Sequence, residues 1–248
     1  VNDALLIFAA FLAGSVLQRV SGMGLGLVAG PVMSLVLGPV EGILFLNVLA
    51  TVNALLGTWT VRRSVPWRTV ALLGSVMILG AAPAAWVILN ISTAVLNIVV
   101  GILLLIALFI VTAGRTWIPP FQGRIPAITA GILAGFMNTV AGVAGPALTI
   151  YALGSRWKHA EYVAALQPLF AISGALAVIV KTVGSHVTLE GTPPGDWAAG
   201  FGAVALGVFL GIKLARMVDR AIARRIAIAV ALAGASSVMF RGVLAVIG

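Results

Sequence analysis

The sequence predicts an all-α integral membrane protein built as two inverted-topology repeats, each a broken (re-entrant) helix hairpin followed by three transmembrane helices. Three observations lead there. The 248 residues are 61% hydrophobic and only 8% charged, where a soluble domain carries about 25% charged residues. The apolar runs are long enough for helical spans of about 20 residues, which leaves room for about seven to nine crossings. Finally, a polar, glycine-rich interruption occurs inside an apolar run once in each half of the chain.

The first half opens with an apolar run over 4–20. The chain begins with Val rather than Met, so residues upstream are expected. Asp3 and the lack of a basic n-region argue against a cleavable signal peptide. The stretch Gln18-Arg19-Val20-Ser21-Gly22-Met23-Gly24-Leu25-Gly26, running on to Gly30-Pro31, should break the helix. A short apolar piece over 24–37 stops at Gly38-Pro39. Helices are then expected over 40–61, ending at Arg62-Arg63, over 69–89 with a kink at Pro83, and over 93–113. A loop from Gly114 to Ile125 divides the chain, giving a first repeat over 1–113, a linker over 114–125 and a second repeat over 126–248.

The second half repeats the plan. An apolar run reaches Met137-Asn138-Thr139 and breaks at Ala141-Gly142-Val143-Ala144-Gly145-Pro146. A short piece ends near Gly154, and a basic loop carries Arg156, Lys158 and His159. Helices are expected over 160–182, 197–215 and 221–247, with a polar segment from Gly184 to Asp196. At an offset of 120 residues, Gln18-Arg19-Val20-Ser21-Gly22 falls on Asn138-Thr139-Val140-Ala141-Gly142, Glu41 on Glu161, and Asn47 on Gln167. The prolines do not keep that offset, since Pro31 and Pro146 are 115 apart.

Charge placement fits inversion. A hairpin that returns to its own side plus three crossings turns the second half over, a plan common among secondary transporters. With the Arg62–Arg68 loop in the cytoplasm, twelve of the fifteen basic residues fall on that side, and the loop with Glu190 and Asp196 falls outside. Positive-inside bias therefore accounts for most of the formal charge of +9, and nucleic-acid binding is discounted. The exceptions are Lys181 and Arg241, expected to snorkel from helix ends, and Arg19. Arg19 lies about 25 Å along its segment at 1.5 Å per residue, a depth that costs several kcal/mol unless a cavity or partner receives it.

These breaks, Ser21-Gly22-Met23-Gly24-Leu25-Gly26 with Pro31 and Ala141-Gly142-Val143-Ala144-Gly145-Pro146, resemble the sulfite exporter TauE/SafE family. Chain size, the two related halves and the basic loop with His159 agree with it. Met23 and Leu25 interrupt the consecutive glycines usual in that family, and the second motif has only two glycines. The resemblance implies transport of sulfur-containing anions or organosulfonates such as sulfite or sulfoacetate, outward across a bacterial inner membrane.

The chemistry of the breaks suits an anion. A helix N-terminus offers unpaired N–H groups at the positive end of a dipole, and glycine allows close approach. Expected substrate-binding residues are Gln18, Arg19, Ser21, Gly22, Gly24, Asn47, Asn138, Thr139, Gly142 and Gln167, with Arg19 supplying the charge. Each has a plainer reading. The glycines could be close-packing points, the amides (Asn53 among them) could bond neighbouring helices, and Arg19 could pair with Glu41. Glu41 and Glu161, at helix starts, favour the dipole. No catalytic residue, metal or cofactor is expected. Ser21 has no histidine or lysine at comparable depth to act as base, which argues against an intramembrane hydrolase. The expected partners are a small anion, membrane lipid and, as one option, a second copy of the chain. An anion channel or an importer of small organic acids is the alternative. No carboxylate lies in mid-span to relay protons, so membrane potential would drive export. It supplies about 2.3 kcal/mol per charge per 100 mV, roughly a 50-fold gradient.

Overall fold

In the computed structural model, residues 3–21, 25–121, 123–215 and 217–247 are described, apart from the side chains of 114–117, 159 and 220. Among them the chain is all helical, and eight helical stretches are long and apolar enough to cross a membrane. Helices α1 (Asp3–Ser21), α2 (Leu25–Val36), α3 (Glu41–Val61), α4 (Trp67–Val76), α5 (Ile78–Asn90) and α6 (Thr93–Trp117) make the first half. Helices α7 (Arg124–Ala141), α8 (Gly145–Gly154), α9 (His159–Ile179), α10 (Pro194–Leu214) and α11 (Arg220–Ile247) make the second. At 12 and 10 residues, α2 and α8 reach only about 15–18 Å, short of a hydrocarbon core of about 30 Å. Large apolar side chains such as Leu55, Phe109, Phe209 and Phe240 are exposed, which in water would be a liability and against lipid is required.

The helices pack through glycines. Helix α1 lies parallel to α10, with Gly207 against Ser15 and the Leu12 carbonyl, and Gly211 against Arg19 and Val16. Helix α7 lies parallel to α4 and α5 in the same manner, Gly131 against Leu73 and Val76, Gly135 against Met77, and Gly80 against Ile132 and Phe136. Helix α3 runs antiparallel to α9, where Gly57 meets Gln167 and Gly174 meets Thr51 and the Asn47 carbonyl. Helix α6 runs antiparallel to α11, where Gly101 meets Met239 and Gly242 meets Ala94 and Ile98. Small residues let backbones approach closely enough for dispersion to hold them where no hydrophobic drive exists between helices.

These pairings gather the C-terminal ends of α1, α3, α6 and α10 with the N-terminal ends of α4, α7, α9 and α11. Arg62, Arg63, Arg68, Arg124, Arg156, Lys158, Lys213, Arg224 and Arg225 therefore share one end of the bundle.

Three expectations about elements change. The 69–89 helix is interrupted at Met77, where no break was expected. Met77 sits in a tight turn, with Met77 N donating to the Gly74 carbonyl and Gly80 N to the Met77 carbonyl. The cause is the crossing by α7: Gly80 and Gly135 bring the two backbones into contact here, and the proline lies within the continuing α5. Helix α10 starts at Pro194 rather than 197, because proline is suited to the first helical position, where no N–H is needed. The 160–182 helix stays α-helical only to Ile179 and then widens into a π turn over Val180–Gly184.

That turn corrects the reading of Lys181. Its side chain does not snorkel but is fully buried, and Nζ has no hydrogen-bond partner. The wider turn rotates position 181 off the surface and into the packing. A buried unsatisfied donor costs about 1–3 kcal/mol. Lys181→Met, which keeps the volume and removes the ammonium, is accordingly expected to raise the thermal unfolding midpoint in detergent. A lowered midpoint would mean that the ammonium is held by a favourable partner.

Candidate functional site

The described residues that flank the two helix interruptions touch, Gly26 against Gly142. Helix α1 ends at Ser21 and α2 starts at Leu25, while α7 ends at Ala141 and α8 starts at Gly145. Gly142 closes α7 in a left-handed conformation, φ +72°, with its N–H donating to the Asn138 carbonyl at 2.8 Å. Glycine adopts this left-handed geometry at least cost. Gly26, in the first turn of α2, lies directly against the Gly142 carbonyl, so that a Cβ on Gly26 would overlap that oxygen. Leu46 of α3 covers Gly142 from the other side.

Around this contact sits a small pocket where three amide side chains meet largely apolar walls. Gln18, Asn47, Asn138 and Gly142 line it, together with the first turns of α2 and α8 and with Phe170 and Gly174 of α9. Its volume is about 30 Å³, room for about one water. The amide side chains are buried and bonded to each other. Asn138 Nδ2 donates to Asn47 Oδ1 at 3.0 Å, and Asn47 Nδ2 to the Asn138 carbonyl at 3.5 Å. Gln18 Nε2 donates to Gln167 Oε1 at 3.4 Å, and Gln18 Oε1 accepts the Leu25 N–H at 2.7 Å, capping α2. Interhelical bonds of this kind contribute about 0.6 kcal/mol each, up to about 1.7 kcal/mol. Neither break places an ionised side chain in this pocket.

The other expected site residues go elsewhere. Thr139 is fully buried and bonds back to the Gly135 carbonyl of its own helix at 2.9 Å. Ser21 Oγ donates to the Leu17 carbonyl at 2.6 Å and lines a different cavity. Gly22 and Gly24 lie outside the described residues. Arg19 faces the same second cavity as Ser21, with Nη1 donating to Thr60 Oγ1 at 3.2 Å. Glu41 begins α3 and Thr60 lies in its last turn, about 28 Å away at 1.5 Å per residue, so an Arg19–Glu41 pair does not form. The second cavity is wide, about 580 Å³, at the basic end of the bundle. Adjacent positions on a helix point about 100° apart, which is how Gln18 and Arg19 come to serve different cavities.

Sequence reasoning kept Gly26 in the break but not among ligand residues, although it makes the closest contact. Phe170 and Gly174 carried no signal, being ordinary residues of an apolar helix. Asn53 is buried, with Oδ1 unpartnered.

Two alanine substitutions separate contact from mere flexibility. At Gly30, one turn along α2, a Cβ would meet Leu46 at 3.5 Å and the Ala141 carbonyl at 3.6 Å, ordinary contacts. Gly26→Ala is expected to destabilise by about 1–3 kcal/mol, and Gly30→Ala to be neutral or stabilising by up to about 1 kcal/mol through helix propensity. Thermal unfolding of the two variants side by side measures the difference, and equal midpoints would remove the Gly26–Gly142 contact from the argument.

The family model described as sulfite exporter TauE/SafE matches residues 6–238. No curated protein and no solved structure matches the chain. Multi-pass helical architecture, the two glycine breaks and a match over nearly the whole length make this chain a member of the TauE/SafE sulfite exporter family.

Proposed function

We propose that the chain is a secondary carrier that exports sulfite-like oxyanions or small organosulfonates across the bacterial inner membrane, holding the anion where the two helix breaks meet. One observation carries the reading. Under the 120-residue offset Gln18 corresponds to Asn138 and Asn47 to Gln167, so the hydrogen-bonded pair Gln18–Gln167 exchanges with the pair Asn138–Asn47. The two pairs flank Gly26 and Gly142, as an approximate two-fold axis through the site would require.

The packing supports the inverted repeat from which that axis would come. Helix α1 lies on α10 as α7 lies on α4 and α5, while α3 meets its counterpart α9, and α6 its counterpart α11, antiparallel. In an inverted repeat α1–α2 and α7–α8 are re-entrant hairpins from opposite sides, with substrate bound near the midplane. The basic end is then cytoplasmic.

The closed pocket holds about one water, so a sulfonate needs the halves to part. As they part, the amide pairs release one another. Nδ2 of Asn47, Nδ2 of Asn138 and Nε2 of Gln18 become free donors to the anion's oxygens. The first-turn N–H groups of α2 and α8, lacking partners four residues back, add to them. Neutral donors hold an anion without binding it so tightly that release stalls. Arg19, on the neighbouring cavity, attracts the anion at entry. Export of net negative charge runs down the membrane potential, which supplies about 2.3 kcal/mol per charge per 100 mV.

Proteoliposomes under clamped potential test this. Sulfite or sulfoacetate flux should saturate and rise with the outward driving potential. Asn138→Leu and Gln18→Leu should each lower kcat/KM by roughly tenfold to a hundredfold, as lost hydrogen bonds to a charged group do. Flux that follows a proton or sodium gradient and ignores potential overturns electrogenic export, and single-channel currents would point to a pore instead.

A further inference from the structure

The cavity of about 580 Å³ at the basic end plays no part in the amide pocket, and it is lined by three arginines, Arg19, Arg224 and Arg225. We propose that it is a second oxyanion site, taking a sulfonate-, sulfite- or phosphate-type group. For sulfur anions this rests on the export reading, where it is the capture site before the amide pocket. The chemistry of the site does not depend on that reading.

Four observations point to a ligand. Among the described residues no aspartate or glutamate lines the cavity. The nearest acid in sequence, Asp219, is occupied in capping α11, its Oδ1 accepting the Ala221 N–H at 2.6 Å. Three like charges around one apolar-walled cavity repel one another, and an anion among them relieves this. Arg19 Nη2 is buried without a partner although Nη1 is bonded to Thr60, and an unsatisfied guanidinium donor is costly to keep. Arg224 is positioned rather than free, since its Nη2 donates to the Val111 carbonyl at the end of α6. Helix α11 brings Ala221 of its first turn to the wall, adding the positive end of a dipole. Guanidinium groups offer planar donor forks that match the oxygens of sulfonate and phosphate.

Two sources could fill the site, a dissolved anion or the headgroup phosphate of an anionic lipid entering between α1, α6, α9, α10 and α11. The test compares wild type, Arg224→Gln/Arg225→Gln, the charge-preserving Arg224→Lys/Arg225→Lys, and Asn138→Leu in phosphatidylcholine nanodiscs. One arm titrates sulfite and reads binding directly. The other adds phosphatidylglycerol and reads the thermal midpoint. The glutamine variant is expected to bind sulfite roughly tenfold more weakly at low salt, with the gap closing as salt is raised. The lysine variant should recover most of the loss. In transport the glutamine variant should raise KM and leave kcat near wild type, whereas Asn138→Leu lowers kcat/KM at any salt. Should phosphatidylglycerol alone separate wild type from the glutamine variant, the site stands as a lipid site and the sulfur-anion reading fails on its own. The proposal is overturned when neither sulfite nor phosphatidylglycerol distinguishes those two proteins, even if Asn138→Leu abolishes transport.

Discussion

The structure depends on one approach of backbone to backbone, Gly26 against the carbonyl of Gly142. A side chain at position 26 would hold the breaks apart, and one at 142 would press on Leu46 of α3. With the glycines in place, the first turns of α2 and α8 face one pocket, and the amides of α1, α3, α7 and α9 come within bonding distance around it. Non-helical backbone in apolar surroundings persists only where protein or water satisfies it. Here the Gly142 N–H returns to the Asn138 carbonyl, and the Leu25 N–H is taken by Gln18. Asn138 and Gln18 thus close their breaks and also furnish polar lining to the pocket.

Charge is kept out of that pocket. Three neutral amides line the pocket, a fourth, Gln167, bonds to Gln18, and the arginine one position beyond Gln18 turns to another cavity. This separation has a physical use. In low dielectric a guanidinium paired with an anion holds it strongly, which suits capture and hinders release. Neutral donors give directional contacts at smaller energies. The wide cavity carries the charge, and the narrow one is lined by neutral amides.

Close packing elsewhere follows the same rule. Gly207 and Gly211 on α10, and Gly131 and Gly135 on α7, let parallel neighbours settle backbone against side chain or backbone. Antiparallel α3 and α9 bring Gly57 and Gly174 to the polar layer, one against Gln167 and the other against the Asn47 carbonyl. A larger residue at 57 would displace Gln167 and with it the bond to Gln18. The glycines of the long helices therefore act on the pocket at one remove, through the placement of its amides.

Local chemistry alone made much of this legible. Hydropathy marks the spans because each must be apolar along its length. The breaks show because glycine, proline and amides are rare within such runs. The basic end shows because loop charges are counted without knowing how helices pack. The sequence also allowed the pairing of Gln18 with Asn138 and of Asn47 with Gln167 as counterparts. Packing decided what rotation about a helix axis decides. Arg19 and Gln18 are neighbours in the chain and about 100° apart around α1, so only the placement of α10, α3 and α11 sends one to the vestibule and the other to the pocket. Lys181 looked like an end-of-helix residue until a π turn rotated it inward, and the α4–α5 interruption follows the crossing of α7 at Met77 rather than Pro83. Contacts between residues far apart in sequence set all three, and no local pattern encodes which neighbour a helix face will meet.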